Sequence, residues 1–269
     1  MPKVKVNDIE MYYELNGEGP NLLYISGSYG DLRRRPNVFD SPLAEHFKIL
    51  GFDQRGLGQT SKPDKPYSMA DYANDAAGLM KTVNWDSANV MGVSFGGMVA
   101  QELAIRYPQK IEKLVIACSS TGGKGGASFP LHELDPSSPE EVARRWIGVL
   151  DNRISESWKE ENPEEYKARI KEFAGIMEVL YGEAGSEKRK GVMRQLEARR
   201  HHDTYSRVHQ IQAPSLICGG RYDSQAPAAN LENMHSLMPY SRLEFFEGGH
   251  GFLDQDPRAY EVIIDFLKE

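Results

Sequence analysis

Gly92-Val93-Ser94-Phe95-Gly96 has the residue types of a nucleophile held on a tight turn. An apolar run, Ala88-Asn-Val-Met-Gly-Val93, leads into it, and a helical pattern from Met98 to Tyr107 follows at once. A serine lifted onto a strained strand-to-helix turn can attack a carbonyl carbon if side chains two positions either side do not collide with it. Glycine at 92 and 96 meets that condition, and Gly97 lets the helix pack close. The first helical turn also aims backbone N–H groups, that of Phe95 among them, at the place where an oxyanion would form. Taken alone, the pentapeptide also fits an idle turn; its flanks and its partners give it the catalytic reading.

Such a serine needs a base, and the base needs an orienting acid. In open α/β sheets functional groups gather beyond the carboxyl ends of strands. Two such ends carry suitable residues: Gly219-Gly220-Arg221-Tyr222-Asp223 and Glu247-Gly248-Gly249-His250-Gly251. His250 would take the Ser94 proton, and Asp223 would fix the imidazole tautomer, although Asp223 also suits a plain turn. Asp256, just before Pro257, reads as a helix cap instead. His201 and His202 lie in a charged run and read as solvated, while His46, His132, His209 and His235 have no strand-end setting. The loop Ser26-Gly27-Ser28-Tyr29-Gly30-Asp31 ends another strand, so the Ser28 N–H is expected to be the second oxyanion donor beside that of Phe95.

The elements that must position these groups follow in order. Short antiparallel strands flank Asn7-Asp8, buried strands are expected at 21–25, 47–52, 88–93 and 111–118, and a helix is expected over 69–84. This alternation implies a largely parallel sheet. It stops from about 122 to 208, which opens with Gly122-Gly-Lys-Gly-Gly126 and reads as helices at 139–150, 163–180 and 188–198. More than about 80 residues is too long for a structureless loop. The expected organisation is therefore a core of 1–121 and 209–269 with a helical cap at 122–208. Strands resume at 213–220 and 241–246, and a helix over 260–268 ends the chain.

The 269 residues carry a net charge of −7, which argues against non-specific nucleic-acid binding. No apolar run approaches a membrane span, and Met1-Pro-Lys-Val-Lys-Val lacks the apolar core of a leader, so a cytoplasmic protein is expected. Cys118 and Cys218 sit in apolar strands as core residues, and no Cys/His cluster has metal-ligand spacing. No cofactor, metal, nucleic acid or membrane partner is expected, and monomer and homodimer stay equally open.

With Ser94, Asp223 and His250 in that order, together with Asp53-Gln-Arg55-Gly56-Leu-Gly58-Gln-Thr-Ser61, the chain resembles the α/β-hydrolase superfamily over nearly its full length. The resemblance implies an eight-stranded, mostly parallel sheet with helices on both faces and a helical cap after the sixth strand. Where most members carry His-Gly after the third strand, this chain has Ser26-Gly27. That loop and the 52–118 segment are more similar to 3-oxoadipate enol-lactone hydrolases, which usually have methionine at the position of Phe95. The expected function is cleavage of small carboxylic esters through an acyl-Ser94 intermediate, or of a lactone by the same chemistry. Perhydrolase and carbon–carbon hydrolase variants stay open, as does a ligand receptor without turnover; an aspartate-nucleophile dehalogenase or epoxide hydrolase does not fit Ser94. An anionic lactone would need a cation, for which Arg33, Arg34, Arg35, Arg144 and Arg145 are candidates. Tyr29, Phe95, Trp146, Met177 and Tyr181 are candidate pocket residues.

Overall fold

Asn7, at φ 52°, turns β1 (Lys3–Val6) back against β2 (Ile9–Asn16). This hairpin begins the computed structural model, which describes residues 3–269; Met1 and Pro2, the start of the segment read for a leader and of the first domain, lie outside the described residues. β2 then pairs antiparallel with β4 (Lys48–Phe52). All later pairings are parallel, through β3 (Asn21–Ile25), β5 (Ala88–Val93), β6 (Ile111–Ala117), β7 (Ser215–Gly220) and β8 (Ser241–Phe246). The order across the sheet is β1-β2-β4-β3-β5-β6-β7-β8. Parallel strands need covered crossovers, so the central ones are buried on both faces and lose the alternating pattern. β7 is buried at every position.

One face is covered by α1 (Met69–Thr82), α2 (Phe95–Arg106) and α7 (Ala228–Leu237), whose Leu79, Val99, Leu103, Leu231 and Met234 join one core cluster with β3, β5 and β6. α8 (Phe252–Gln255) and α9 (Arg258–Lys268), with Leu43 and Phe47, cover the other. α1 starts where a capping box stops the chain from fraying: Asp71 N–H donates to Ser68 Oγ at 3.2 Å, and Ser68 N–H donates to the Asp71 carboxylate at 2.8 Å.

The α-helices between β6 and β7 are α3 (Pro139–Leu150), α4 (Glu156–Glu161), α5 (Pro163–Tyr181) and α6 (Glu187–Arg200), and among the described residues no full strand interrupts them. α3 and α5 begin with proline at the first helical position, where a missing N–H costs nothing. The chain leaves and re-joins the sheet side by side: Thr204 N–H donates to the Thr121 carbonyl at 2.8 Å, and Gly122 bridges Asp203.

The segment after β4 braces the loop after β3. Asp53 accepts from the Leu32 and Gln59 amides at 2.7 Å each, and Gln54 Nε2 donates to the Ser26 carbonyl at 2.8 Å. Burial pushes the Asp53 carboxyl up, against the two amides that favour its charge. Arg55 is buried and forked onto Asp75 of α1 at 2.7 and 3.0 Å, with Asp8 at 2.8 Å. Burial opposes its charge, but the two carboxylates outweigh burial and hold the guanidinium ionised.

Candidate active site

Ser94 stands between β5 and α2 with φ 55° and ψ −115°, a conformation that L-residues rarely adopt and that packing must enforce. The enforcement is visible at Gly96, where a methyl group would run into the carbonyl oxygens of Ile25 and Ser26. The Ser94 carbonyl is held by the amides of Gly97 at 2.9 Å and Met98 at 3.3 Å, and by Ser119 Oγ at 2.9 Å.

Three side chains from three strand ends meet here. Ser94 Oγ lies 3.0 Å from His250 Nε2, and His250 Nδ1 lies 2.7 Å from Asp223 Oδ2. A carboxylate only accepts, so Nδ1 carries the proton and Nε2 of the neutral ring presents its lone pair to the serine. The other Asp223 oxygen accepts from the amides of Gln225 at 2.7 Å and Ala226 at 2.9 Å. Asp256 is elsewhere, accepting from the amides of Glu247 and Arg258 at 2.9 Å each, as a cap would.

The loop after β3 closes the other side. A methyl group on Gly27 would lie 3.5 Å from Ser94 Cβ, so the backbone of this loop runs against the Ser94 side chain. The Phe95 amide belongs to the first turn of α2, where N–H groups have no partner within the helix. The loop that carries Ser28 and the first turn of α2 thus meet beside Ser94.

A fourth residue joins the group. Gln225 Nε2 lies 2.7 Å from His250 Nε2, the atom that also faces Ser94, and Trp146 Nε1–H of α3 donates to Gln225 Oε1. Indole N–H is a donor only, so the amide oxygen must face Trp146 and the amide N–H must face the imidazole. The end of α3 also touches the loops of His250 and Asp223 through its spare carbonyls: Leu150 accepts from His250 N–H at 2.6 Å and Val149 from Ser224 N–H at 3.0 Å.

The sequence profile of the alpha/beta hydrolase fold family matches residues 20–156, about half of the chain. The chain belongs to this family. It is 27% identical over 233 residues to a poly(3-hydroxyalkanoate) depolymerase of Ectopseudomonas oleovorans, covering 86% of this chain and 78% of that one. It is 27% identical over 282 residues to the human serine hydrolase BPHL, covering 99% and 86%. Among solved structures, an enol-lactonase from Burkholderia xenovorans LB400 superposes with a TM-score of 0.75 over the full length of both chains, at 22% identity.

Several expectations for this hydrolase-fold chain need correction. Tyr29, Trp146, Met177 and Tyr181 do converge, in one apolar cluster between the inserted helices and the loop after β3, with Tyr29 and Tyr181 hydroxyls 3.1 Å apart. The Phe95 ring does not join them; it packs edge-on to Tyr72 at 5.0 Å in the core under α1. Of the candidate cations, Arg34 alone among Arg33, Arg34 and Arg35 reaches this cluster. Arg33 and Arg35 are exposed and paired with Asp31 and Asp40, while Arg34 donates to the Tyr29 carbonyl. Arg144 and Arg145 are exposed, and Arg144 lines a cavity of about 850 Å³ between α3 and α5 that holds none of Ser94, His250 or Asp223. His202 is not solvated: it is buried, and its Nε2–H donates to the Ser120 carbonyl at 3.0 Å, because the charged run ends where the chain turns back into the core. Cys118 and Cys218 are buried free thiols. Among the described residues no three His, Cys, Asp or Glu gather as a metal site, and no helix is long and apolar enough to cross a membrane.

Proposed function

We propose that the chain is a serine hydrolase that cleaves small carboxylic esters through Ser94, His250 and Asp223. His250 Nε2 takes the Ser94 proton as Oγ attacks the ester carbonyl, and Asp223 stabilises the imidazolium so formed. The amides of Phe95 and Ser28 donate to the oxyanion, and the imidazolium then protonates the departing alkoxide. Water, deprotonated by the same imidazole, hydrolyses the acyl-Ser94 ester and restores the enzyme. The helices at 122–208 act as the cap, and Tyr29, Trp146, Met177 and Tyr181 form the apolar wall against which the acyl group packs.

The observation that carries this reading is the unbroken hydrogen-bond chain Ser94–His250–Asp223 on a strained turn. The relatives' names agree with acyl transfer: one depolymerises a hydroxyalkanoate polyester and another is a serine hydrolase. The test is hydrolysis of p-nitrophenyl acetate and butyrate by wild type and Ser94→Ala. Turnover by wild type that falls about a thousandfold or more in the variant supports the reading. Turnover unchanged in Ser94→Ala, or no labelling of Ser94 by a fluorophosphonate, refutes it.

A further inference from the structure

Val192, Gln195, Leu196 and Arg199 follow one another at helical spacing on the buried face of α6, and Arg199 is only 5% exposed. Its Nη1 donates to the Phe129 carbonyl at 2.9 Å and its Nη2 to Ser128 Oγ at 2.6 Å, both neutral acceptors. Its Nε–H has no acceptor among the described residues. The neighbouring arginines differ: Arg200 reaches Glu197 and Arg207 reaches Glu102. Burial pulls the Arg199 guanidinium down to about 10, so it stays charged at neutral pH. A buried charge without a counter-ion is destabilising, and an orphaned donor on it asks for an explanation.

Arg199 belongs to a cleft of about 250 Å³. Met98, Ser120, Arg199 and His202 are its buried floor, and Gly123, Ala127 and Arg200 its exposed rim. Ser120, His132 and His202 line the same cleft, and each also has a buried polar atom without a partner among the described residues: Ser120 Oγ, His132 Nδ1 and His202 Nδ1. Because His202 spends its Nε2–H on the Ser120 carbonyl, its Nδ1 is a bare lone pair, and burial pulls the ring down to about 4. It therefore adds no positive charge, and no Asp or Glu lines the cleft.

We propose that this cleft binds the carboxylate of a small organic acid, with Arg199 as its charge partner and Ser120 Oγ as a second donor. One negative charge matches one guanidinium. A phosphate dianion fits worse, because it brings a second charge that the single guanidinium does not match. The inference does not require Ser94 to be a nucleophile.

The test is calorimetric titration of the full chain with acetate and butyrate at constant ionic strength, with butyramide and inorganic phosphate as comparisons, paired with thermal unfolding. Wild type and Ser94→Ala are expected to bind butyrate alike and to gain in unfolding temperature, with butyramide and phosphate binding at least tenfold more weakly. Arg199→Met is expected to lose tenfold or more in butyrate affinity, yet to unfold at a higher temperature without ligand because the uncompensated charge is gone. Should Arg199→Met not fold, Arg199→Lys, which keeps the charge but lacks the Nε–H fork, carries the same comparison. No carboxylate binding by wild type, equal binding of butyramide or phosphate, or variants that bind like wild type would overturn the proposal.

Discussion

Replacing Gln225 with leucine should make Ser94 more reactive. His250 Nε2 has one lone pair, and two donors claim it: Gln225 Nε2–H at 2.7 Å and Ser94 Oγ–H at 3.0 Å. Before the imidazole can accept the serine proton, the amide must give up its share. After the transfer, Nε2–H would face N–H, so the amide must turn away altogether. A neutral hydrogen bond is worth about 1 kcal/mol net, which corresponds to roughly fivefold in rate. Gln225→Leu should therefore raise the second-order rate of fluorophosphonate labelling at Ser94 about fivefold. It also strands the Trp146 indole N–H, so a loss of about 1–3 kcal/mol in urea unfolding is expected and labelling must be measured well below the transition. Trp146→Phe frees the amide to rotate and should give part of the same gain, while the double variant should label no faster than Gln225→Leu alone. Labelling by folded Gln225→Leu at the wild-type rate or slower, or additive gains in the double variant, would refute the competition.

Three further outcomes follow from the packing. Gly96→Ala drives a methyl group into the Ile25 carbonyl and should abolish both esterase activity and Ser94 labelling while the rest of the fold survives, checked by circular dichroism. Arg55→Met leaves the Asp75 carboxylate buried and unpaired and should lower stability by about 3–5 kcal/mol in urea titrations. His202 folds with a value near 4 against 6.5 in the unfolded chain, so the unfolded state binds more protons between those limits and stability falls as pH drops through that window. At pH 4.5 the loss is about 2–3 kcal/mol. His202→Gln keeps a donor for the Ser120 carbonyl but cannot titrate, so urea unfolding at pH 7 and 4.5 should show it losing that much less than wild type; equal losses would contradict the assignment.

What could be read from the sequence was whatever rests on local chemistry. Glycines two residues either side of Ser94, prolines at 139 and 163, and apolar runs ending in Gly219-Gly220 and Gly248-Gly249 each reflect a backbone need expressed within a few residues. Gln225 could not be read this way, since its partner Trp146 is 79 positions distant and its loop looks like any polar turn. Arg199 and His202 were hidden in a run of charges. The signal that could have found Arg199 is register: with Val192 and Leu196 taken as buried, helical spacing puts Gln195 and Arg199 on the same face. α7 is absent from the expected elements although Pro227 precedes it and Leu231, Met234 and Leu237 recur at helical spacing. Of the cations expected near an anionic substrate, Arg33, Arg35 and Arg144 are instead taken up by an acid two to five residues away.

The hydrogen bond between Thr204 and Thr121 bears on how this chain can change. The entropy of closing a loop depends mainly on bringing its ends together, and each doubling of length adds only about 0.6 kcal/mol. With its two ends already zipped to each other, the stretch between them can grow, shrink or be swapped while the sheet folds much as before. Such a replacement must still supply the carbonyls that Val149 and Leu150 offer to the loops of Asp223 and His250, and an acceptor for the Tyr29 amide in place of Gln195. A short turn joining Thr121 to Thr204 should thus give a protein that folds and does nothing, and a grafted roof with a helix end in the same place should give one that folds and prefers a different substrate.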